Sequence, residues 1–124
     1  KLSGTLLQSL MVAALALCGS AVLAQDGVTK TTIPLGQSTA LTGPGASLAL
    51  PFHQGAKMYF DRVNAAGGVN GRKIELVTLD DAGNPATAAT NTAKLLEQGV
   101  LALFGYYGSA QVTASYPAIK DTEA

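Results

Sequence analysis

The first regular pattern along the chain is an alternation of apolar with polar or small residues between Thr31 and Ser38. Ile33 and Leu35 occupy every second position there, which is the period of a β-strand with one buried face. Pro34 lies between them and weakens this prediction, because proline cannot donate to a sheet ladder and is found mainly at strand starts and edges. The glycine- and proline-containing stretch Leu41–Ser47 predicts the loop that follows.

The pattern then changes to a helical period. Pro51 suits the first turn of a helix, where its missing N–H costs nothing. Ala65–Gly68 predicts the helix end, where a glycine can adopt the left-handed conformation, and Asn70-Gly71 predicts a tight turn. The apolar residues between these signals recur at i, i+4, i+7, i+8 and i+11, which is one helix face: Phe52, Ala56, Tyr59, Phe60 and Val63.

A second strand and a second helix follow. Lys73–Leu79 predicts the strand, and Asp80-Asp81 close it. Asn84-Pro85 is typical of a helix start, with an N-cap residue followed by a proline at the first helical position. This helix is predicted to continue to about Gln98 and to stop at Gly99. The residues predicted to face inward are Ala88, Leu95 and Leu96.

The third unit begins with Val100–Phe104, a continuous apolar run that is typical of a strand buried on both faces. Gly105–Gly108 predicts a turn, and Ser109 can cap a third helix that runs toward Lys120. The β-α-β-α-β-α order predicts a three-layer α/β fold, with a parallel sheet, right-handed crossovers and helices on both faces.

Parallel sheets of this kind bind ligands beyond the carboxyl ends of their strands. Two loops that carry small residues, 41–48 and 105–109, leave strands at that edge. The chain ends at Ala124, where a further strand would be expected. We therefore interpret residues 25–124 as a truncated part of a larger lobe.

The first 24 residues predict a separate segment, a secretory signal. Lys1 supplies a positive charge, Leu10–Leu17 is a short apolar run, and Val22 and Ala24 fit the third-last and last positions of a cleavage site after Ala24. The run is shorter than the roughly 20 apolar residues that span a bilayer. A lipid anchor on Cys18 is the alternative, but leucine precedes this cysteine where glycine, alanine or serine is usual. The favoured prediction is a signal peptide over 1–24 and a periplasmic protein.

Composition and charge exclude several classes of function for residues 25–124. The formal net charge of the chain is +0 and its Lys and Arg residues do not cluster, which argues against a nucleic-acid surface or a polybasic membrane patch. The only cysteine lies in the predicted signal, so the remainder must fold by core burial without disulfides. No second apolar stretch predicts a transmembrane helix. No dinucleotide or phosphate-binding loop is present, and no cofactor is expected.

Ser109 has the most informative sequence context, because it follows a glycine after a predicted buried strand and opens a helix. Three roles are open for it. It can be the helix N-cap, it can bind a carboxylate together with the helix N-terminus, or it can be a nucleophile. The segment Gly108–Val112 lacks the Gly-x-Ser-x-Gly pattern of a nucleophile elbow, which disfavours the third role.

The other polar residues favour structural roles. His53 is the only histidine and has no partners for a zinc site, so it is predicted to be a surface or capping residue. Asp80 and Asp81 should point to opposite faces as neighbours on a strand, and they are predicted to hydrogen-bond loop backbone rather than to share a substrate. Tyr106 and Tyr107 either pack in the fold or line a cleft.

Several segments occur in an order and spacing that cover nearly the whole chain after the predicted signal: Leu41–Pro44, Asn64–Leu76, Asp80-Asp81, Asn84-Pro85 and Phe104–Tyr106. Each is weak alone, but the ordered set resembles the leucine/isoleucine/valine-binding proteins. These are solute receptors of branched-chain amino acid ABC importers with the type I periplasmic binding fold. The resemblance implies two α/β lobes joined by a hinge, with residues 25–124 in the N-terminal lobe.

The resemblance also implies which residues bind ligand. The serine that matches Ser109 binds the α-carboxylate of the amino acid, and the positions of Tyr107 and Gly108 line the same cleft. Leu48 matches a position that is often aromatic and contacts the ligand side chain, so leucine there leaves the ligand unspecified. Some members have a disulfide between the positions of Gly83 and Gly108, and both are glycine here.

The resemblance therefore implies an extracytoplasmic solute-binding component of an ABC importer and not an enzyme. Its expected partners are a small ligand, which is a branched-chain or other amino acid, an amide or an aromatic carboxylate, and a permease in the inner membrane. Two other hypotheses stay open. A transmembrane helix further along the gene would favour a ligand-sensing ectodomain of a signalling receptor, and a catalytic base near Ser109 would favour an enzyme.

Overall fold

The computed structural model describes residues 27–120 and 122. The predicted signal peptide over 1–24, with Cys18 and the cleavage site, lies outside the described residues. The strands and helices alternate in the predicted order: β1 Thr32–Thr39, α1 Ala46–Ala65, β2 Lys73–Asp80, α2 Pro85–Glu97, β3 Ala102–Leu103 and α3 Ser109–Ile119. None of these described helices is long and apolar enough to cross a lipid bilayer.

The sheet has the strand order β2-β1-β3 and is parallel throughout, as predicted. β1 pairs with β2 over its full length, from Thr32 opposite Lys73 to Thr39 opposite Asp80. The crossover from β1 to β2 and the crossover from β2 to β3 run in opposite directions across the sheet, so right-handed connections place α1 and α2 on opposite faces of the sheet. The result is the predicted three-layer arrangement.

Two successive residues of β1 show these two faces. A β-carbon placed on Gly36 would lie 3.2 Å from Cβ of Leu95, so Gly36 faces α2. Gln37 points the other way, and its side-chain oxygen lies 2.7 Å from Nδ1 of His53 in α1. The α2 side holds most of the buried apolar side chains, including the predicted Ala88 and Leu95.

Pro34 lies inside β1, the central strand, at a point where the ladder needs no donor. Its carbonyl accepts a 2.8 Å hydrogen bond from the N–H of Leu101. The N–H and C=O of a residue point to the same side of a strand, so the missing donor of Pro34 faces the beginning of β3. Pairing with β3 starts only at Leu35 opposite Ala102, so proline is tolerated there.

The predicted start of α1 was wrong, because the helix begins at Ala46 and Pro51 lies inside it. Gly45 is the N-cap residue, and the fully buried Ala49 anchors the first turns against the fold. Pro51 deprives the carbonyl of Ser47 of its helical donor. Ser47 is exposed, so water can take the place of that donor.

The apolar face predicted for α1 is only partly buried. Ala49 is the one buried residue of this helix, although α1 is the longest helix described. Phe52 and Tyr59 are 49% and 63% exposed, whereas Phe60 packs edge-on against Phe104, with their ring centroids 5.3 Å apart. The predicted apolar face of α1 therefore stays largely open to solvent at Phe52 and Tyr59 within the described chain.

β3 is shorter and more open than its sequence predicted. Only Ala102–Leu103 pair with β1, and Leu101–Phe104 are half-exposed although Val100 is buried. β3 lies at one end of the described strand order, so no described strand pairs with its outer edge. The prediction of a strand buried on both faces was therefore wrong for this part of the chain.

The turn and cap signals between α1 and α2 were confirmed. After α1, the N–H of Gly68 donates to the carbonyl of Val63 at 2.9 Å, as a glycine-containing helix end requires. Asn70 and Gly71 have φ values of 51° and 77° and form the tight turn before β2. Asn84 caps α2, because its side chain accepts hydrogen bonds from the N–H groups of Ala86 and Thr87.

Candidate ligand-binding site

Asp80 joins the loop after β1 to the end of β2. Its carboxylate accepts hydrogen bonds from the hydroxyl of Thr42 (2.6 Å) and from the backbone N–H groups of Leu41 (2.9 Å), Thr42 (3.3 Å) and Ala82 (2.9 Å). The bond from the Thr42 hydroxyl, supported by those from the backbone, lowers the pKa of Asp80 below its ordinary value. The predicted role in binding loop backbone is confirmed.

Asp81 is fully buried, and its side chain points away from that of Asp80. It accepts hydrogen bonds from the hydroxyl of Ser38 at 2.9 Å and from the N–H of Gly83 at 2.8 Å. The side-chain amide of Asn91 donates to the same hydroxyl and to the carbonyl of Asp80. Each carboxylate therefore has its own set of hydrogen-bond donors, and the two do not form a pair, as predicted.

The start of α1 lies against the segment that follows β3. A β-carbon placed on Gly45 would lie 3.8 Å from Cε1 of Tyr107, so the tyrosine ring packs beside this helix start. Leu48 lies in the first turn, where its N–H donates to the carbonyl of Gly45 at 3.2 Å, and its side chain is 65% exposed. Leu48 is thus available to a ligand but is not held by other residues.

The two adjacent tyrosines point in different directions, which separates the two roles that the sequence left open. The hydroxyl of Tyr106 lies 2.7 Å from that of Thr92 in α2, and burial raises the pKa of Tyr106. Tyr107 packs toward Gly45. Tyr106 is therefore a packing residue, whereas Tyr107 lies at the loop edge of the sheet.

Residues Gly105–Gly108 were expected to form a turn, but they are an irregular connection with no assigned turn. Gly105 has φ 64° and Gly108 has φ 105°, conformations that favour glycine. The segment changes direction through these two glycines instead of a hydrogen-bonded turn.

Ser109 does not cap α3, so the N-cap interpretation was wrong. Ser109 is the first residue of the helix, Gly108 takes the N-cap position, and no side chain caps the helix. Ser109 is exposed. Because the first N–H groups of a helix have no intrahelical partners, this end presents an accessible hydroxyl and uncapped N–H groups at one place.

Gln111 joins the loops that follow β2 and β3, a role that the sequence did not indicate. Its side-chain amide donates to the carbonyl of Gly83 at 2.8 Å. The same side chain folds back over Gly108, where a β-carbon would collide with its oxygen. Gly83 and Gly108, the positions that carry a disulfide in some proteins of the resembled family, are therefore bridged here by a side chain.

His53 is not the surface or capping residue that was predicted. It is half-buried in α1, and its Nδ1 bonds the side chain of Gln37, a fully buried residue of β1. A glutamine in a predicted strand position was the only sequence signal for this contact. Among residues 27–120 and 122, no cluster of three or more His, Cys, Asp or Glu side chains is placed to hold a metal ion.

The predicted ligand-binding residues Tyr107, Gly108 and Ser109 thus form one continuous segment at the carboxyl edge of the sheet. The start of α1 touches this segment, and Leu48 follows one turn further along. The contact between the segment and α1 is made by Gly45, which the sequence did not single out. Ligand binding by Leu48 and by the segment Tyr107–Ser109 remains a prediction.

Comparison with known proteins agrees with this architecture. The family described as periplasmic binding protein matches residues 32–124. The leucine-, isoleucine-, valine-, threonine- and alanine-binding protein of Pseudomonas aeruginosa is 34% identical over 107 residues, which are 86% of this chain and 28% of that protein.

Two solved structures are also similar. The fatty acid ABC transporter substrate-binding protein from Thermomonospora curvata has a TM-score of 0.71 and 39% identity, over 76% of this chain and 24% of that one. The branched-chain amino acid transporter substrate binding protein LivJ from Streptococcus pneumoniae, in complex with isoleucine, has a TM-score of 0.69 and 31% identity. The match covers 73% of this chain and 26% of that one.

The chain belongs to the periplasmic binding protein family, and its fold is part of the type I periplasmic binding fold. It spans about a quarter of the length of these relatives.

Proposed function

We propose that this chain forms the first part of the N-terminal lobe of an extracytoplasmic solute receptor. In this proposal, residues 1–24 direct export and are removed, and residues 25–124 contribute one wall of a cleft between two lobes. The receptor captures an amino acid, or a related carboxylate or amide, and the closed form delivers it to an ABC permease in the membrane. It performs no reaction. Similar proteins are named as substrate-binding proteins of such transporters.

The observation that carries this proposal is the uncapped start of α3. Ser109 is exposed, and no side chain makes a capping hydrogen bond at the N-terminal end of this helix. Uncapped N–H groups and the positive end of the helix dipole attract a negatively charged group. A ligand carboxylate can therefore accept hydrogen bonds from the Ser109 hydroxyl and from the backbone of the same turn.

The surroundings of Ser109 suit capture better than catalysis. Asp80 and Asp81, the acidic residues at the end of β2, are bound to loop N–H groups and to hydroxyls. His53 bonds the side-chain oxygen of Gln37, on the opposite side of Gln37 from the loop that leads to Ser109. No base is thus hydrogen-bonded to the Ser109 hydroxyl within the described residues, and a nucleophile would need one.

The nature of the ligand is tested by calorimetric titration of the full-length receptor. The panel contains branched-chain and other amino acids, aliphatic amides and aromatic carboxylates. We expect one class to bind with a Kd in the micromolar range or below, and we expect the ligand to lose affinity when its carboxylate is converted to a neutral ester. An ester that binds as tightly as the acid would show that α3 does not bind a carboxylate. Turnover of the bound ligand would contradict the receptor function.

A further inference from the structure

Gln37 is an amide side chain buried in the middle of the central strand, on the face that carries α1. Its exposure is 0%, and it is bonded to three separate parts of the chain. Its amide group donates to the carbonyl of Gly105 at 2.9 Å, and its oxygen lies 2.7 Å from Nδ1 of His53 and 3.3 Å from the hydroxyl of Thr78. A buried amide is costly unless such partners are present.

These partners fix the orientation of the amide. The carbonyl of Gly105 can only accept a hydrogen bond, so the NH₂ group of Gln37 must face it. The oxygen of Gln37 must then face α1 and β2, where it accepts from His53 and Thr78. His53 therefore carries a proton on Nδ1, and its ring holds the amide in the orientation that binds Gly105.

Gly105 is pressed directly against this amide. It has φ 64°, and a β-carbon there would lie 2.8 Å from Nε2 of Gln37 and 3.1 Å from Cε1 of Phe52. The bond to Gln37 fixes the peptide plane between Gly105 and Tyr106. That plane sets the directions of the next residues, so that Tyr106 points to Thr92 and Tyr107 points to the start of α1.

We propose that Gln37 is a positioning residue for the ligand site, and that His53 holds it in place. Gln37 acts through Gly105, which lies four residues before Ser109, and it sets the path of the segment that ends at the start of α3. The α1 side of the sheet is thereby coupled to the ligand-binding edge. This inference rests on the proposed function, because it assigns Gln37 a role in the site formed by Tyr107, Gly108 and Ser109.

The test replaces Gln37 by methionine, which has a similar shape but no amide, in the full-length receptor. We expect the backbone amides of residues 105–108 to exchange with solvent about tenfold faster, and ligand affinity to fall about tenfold, as for one lost hydrogen bond. The matched control is Leu95→Ala, a fully buried residue on the other face of the sheet. It should lower global stability without selective exchange in 105–108.

A second variant, His53→Phe, keeps a ring of similar size and removes only the donor to Gln37. We expect a smaller effect, about threefold in both measurements, because Thr78 still donates to the same oxygen. This variant carries the test if Gln37→Met does not fold.

The inference is overturned if exchange in 105–108 rises no more in these variants than in Leu95→Ala at equal stability. The ligand panel separates the two proposals. A parent protein that binds no panel ligand contradicts the proposed function, whereas the exchange measurement still decides whether Gln37 positions the segment.

Discussion

α2 and α3 begin in similar places, each after a loop at the carboxyl end of a strand, but their first turns are completed in different ways. At α2 the side chain of Asn84 accepts hydrogen bonds from the N–H groups of Ala86 (2.9 Å) and Thr87 (3.2 Å), and Pro85 has no N–H to satisfy. At α3 the N-cap residue is Gly108, and no side chain caps the helix.

This difference separates a structural helix start from a functional one. The first turn of α2 is completed by its own residues, so it has little left to offer a ligand. The first turn of α3 keeps its N–H groups and the Ser109 hydroxyl available, which costs stability unless water or a ligand binds them. An uncapped helix start at the ligand-binding edge is therefore more informative than a serine or a glycine in that place alone.

Removal of the Ser109 hydroxyl is expected to have the largest effect, and it should act on binding alone. A hydrogen bond to a charged group is worth roughly 1.5–3 kcal/mol, so Ser109→Ala should bind a carboxylate ligand about 10- to 150-fold more weakly. Stability should change by less than about 0.5 kcal/mol, because Ser109 is exposed and caps nothing. Calorimetric titration and urea denaturation of the same variant measure both quantities. Unchanged affinity would remove Ser109 from the site.

The backbone at the α3 start can be tested with Gly108→Ala. The φ of 105° is strained for alanine, and the new methyl group would collide with the side chain of Gln111. We expect a loss of about 2 kcal/mol in stability and a weaker affinity. In the double variant Gly108→Ala, Gln111→Ala, the collision is gone, so stability should partly recover. A single variant as stable as the parent would show that α3 does not need this glycine conformation.

Asn84→Ala tests the other helix start. It leaves the N–H groups of Ala86 and Thr87 without their acceptor, which should cost about 1 kcal/mol of stability. Ligand affinity should stay within twofold of the parent, because α2 has no role in the site. Asn84→Ser, which can still cap, is the control and should stay close to the parent. Loss of affinity in Asn84→Ala at temperatures where it is folded would contradict the separation of the two helix starts.

The smallest effect is expected at Asp80, which holds the loop between β1 and α1. Its lowered pKa means that the charged form stabilises the fold, and this contribution is complete above the ordinary aspartate pKa of about 3.9. It is lost as the pH falls through the lower pKa of the folded protein. Asp80→Asn should therefore lower Tm slightly at neutral pH, and its difference from the parent should shrink below about pH 4. A constant difference down to pH 2 would contradict this assignment.

The sequence alone determined the features that depend on near neighbours. The order of strands and helices follows from apolar periods, and the cap at Asn84, the glycine end of α1 and the Asn70-Gly71 turn follow from the conformational preferences of single residues. Asp80 and Asp81 were also assigned correctly, because neighbouring strand residues point to opposite faces. These signals act over a few residues, so they can be predicted without knowledge of the rest of the fold.

Only the tertiary structure decided the features that depend on distant partners. α1 starts before Pro51 because Ala49 is buried against the fold, and β3 is open because no described strand pairs with its outer edge. Gln37 meets a carbonyl 68 residues away, and Tyr106 and Tyr107 separate because Thr92 and Gly45 lie on different sides of them. A buried polar group takes whichever partner the packed fold brings to it, and no local period of the sequence specifies that partner.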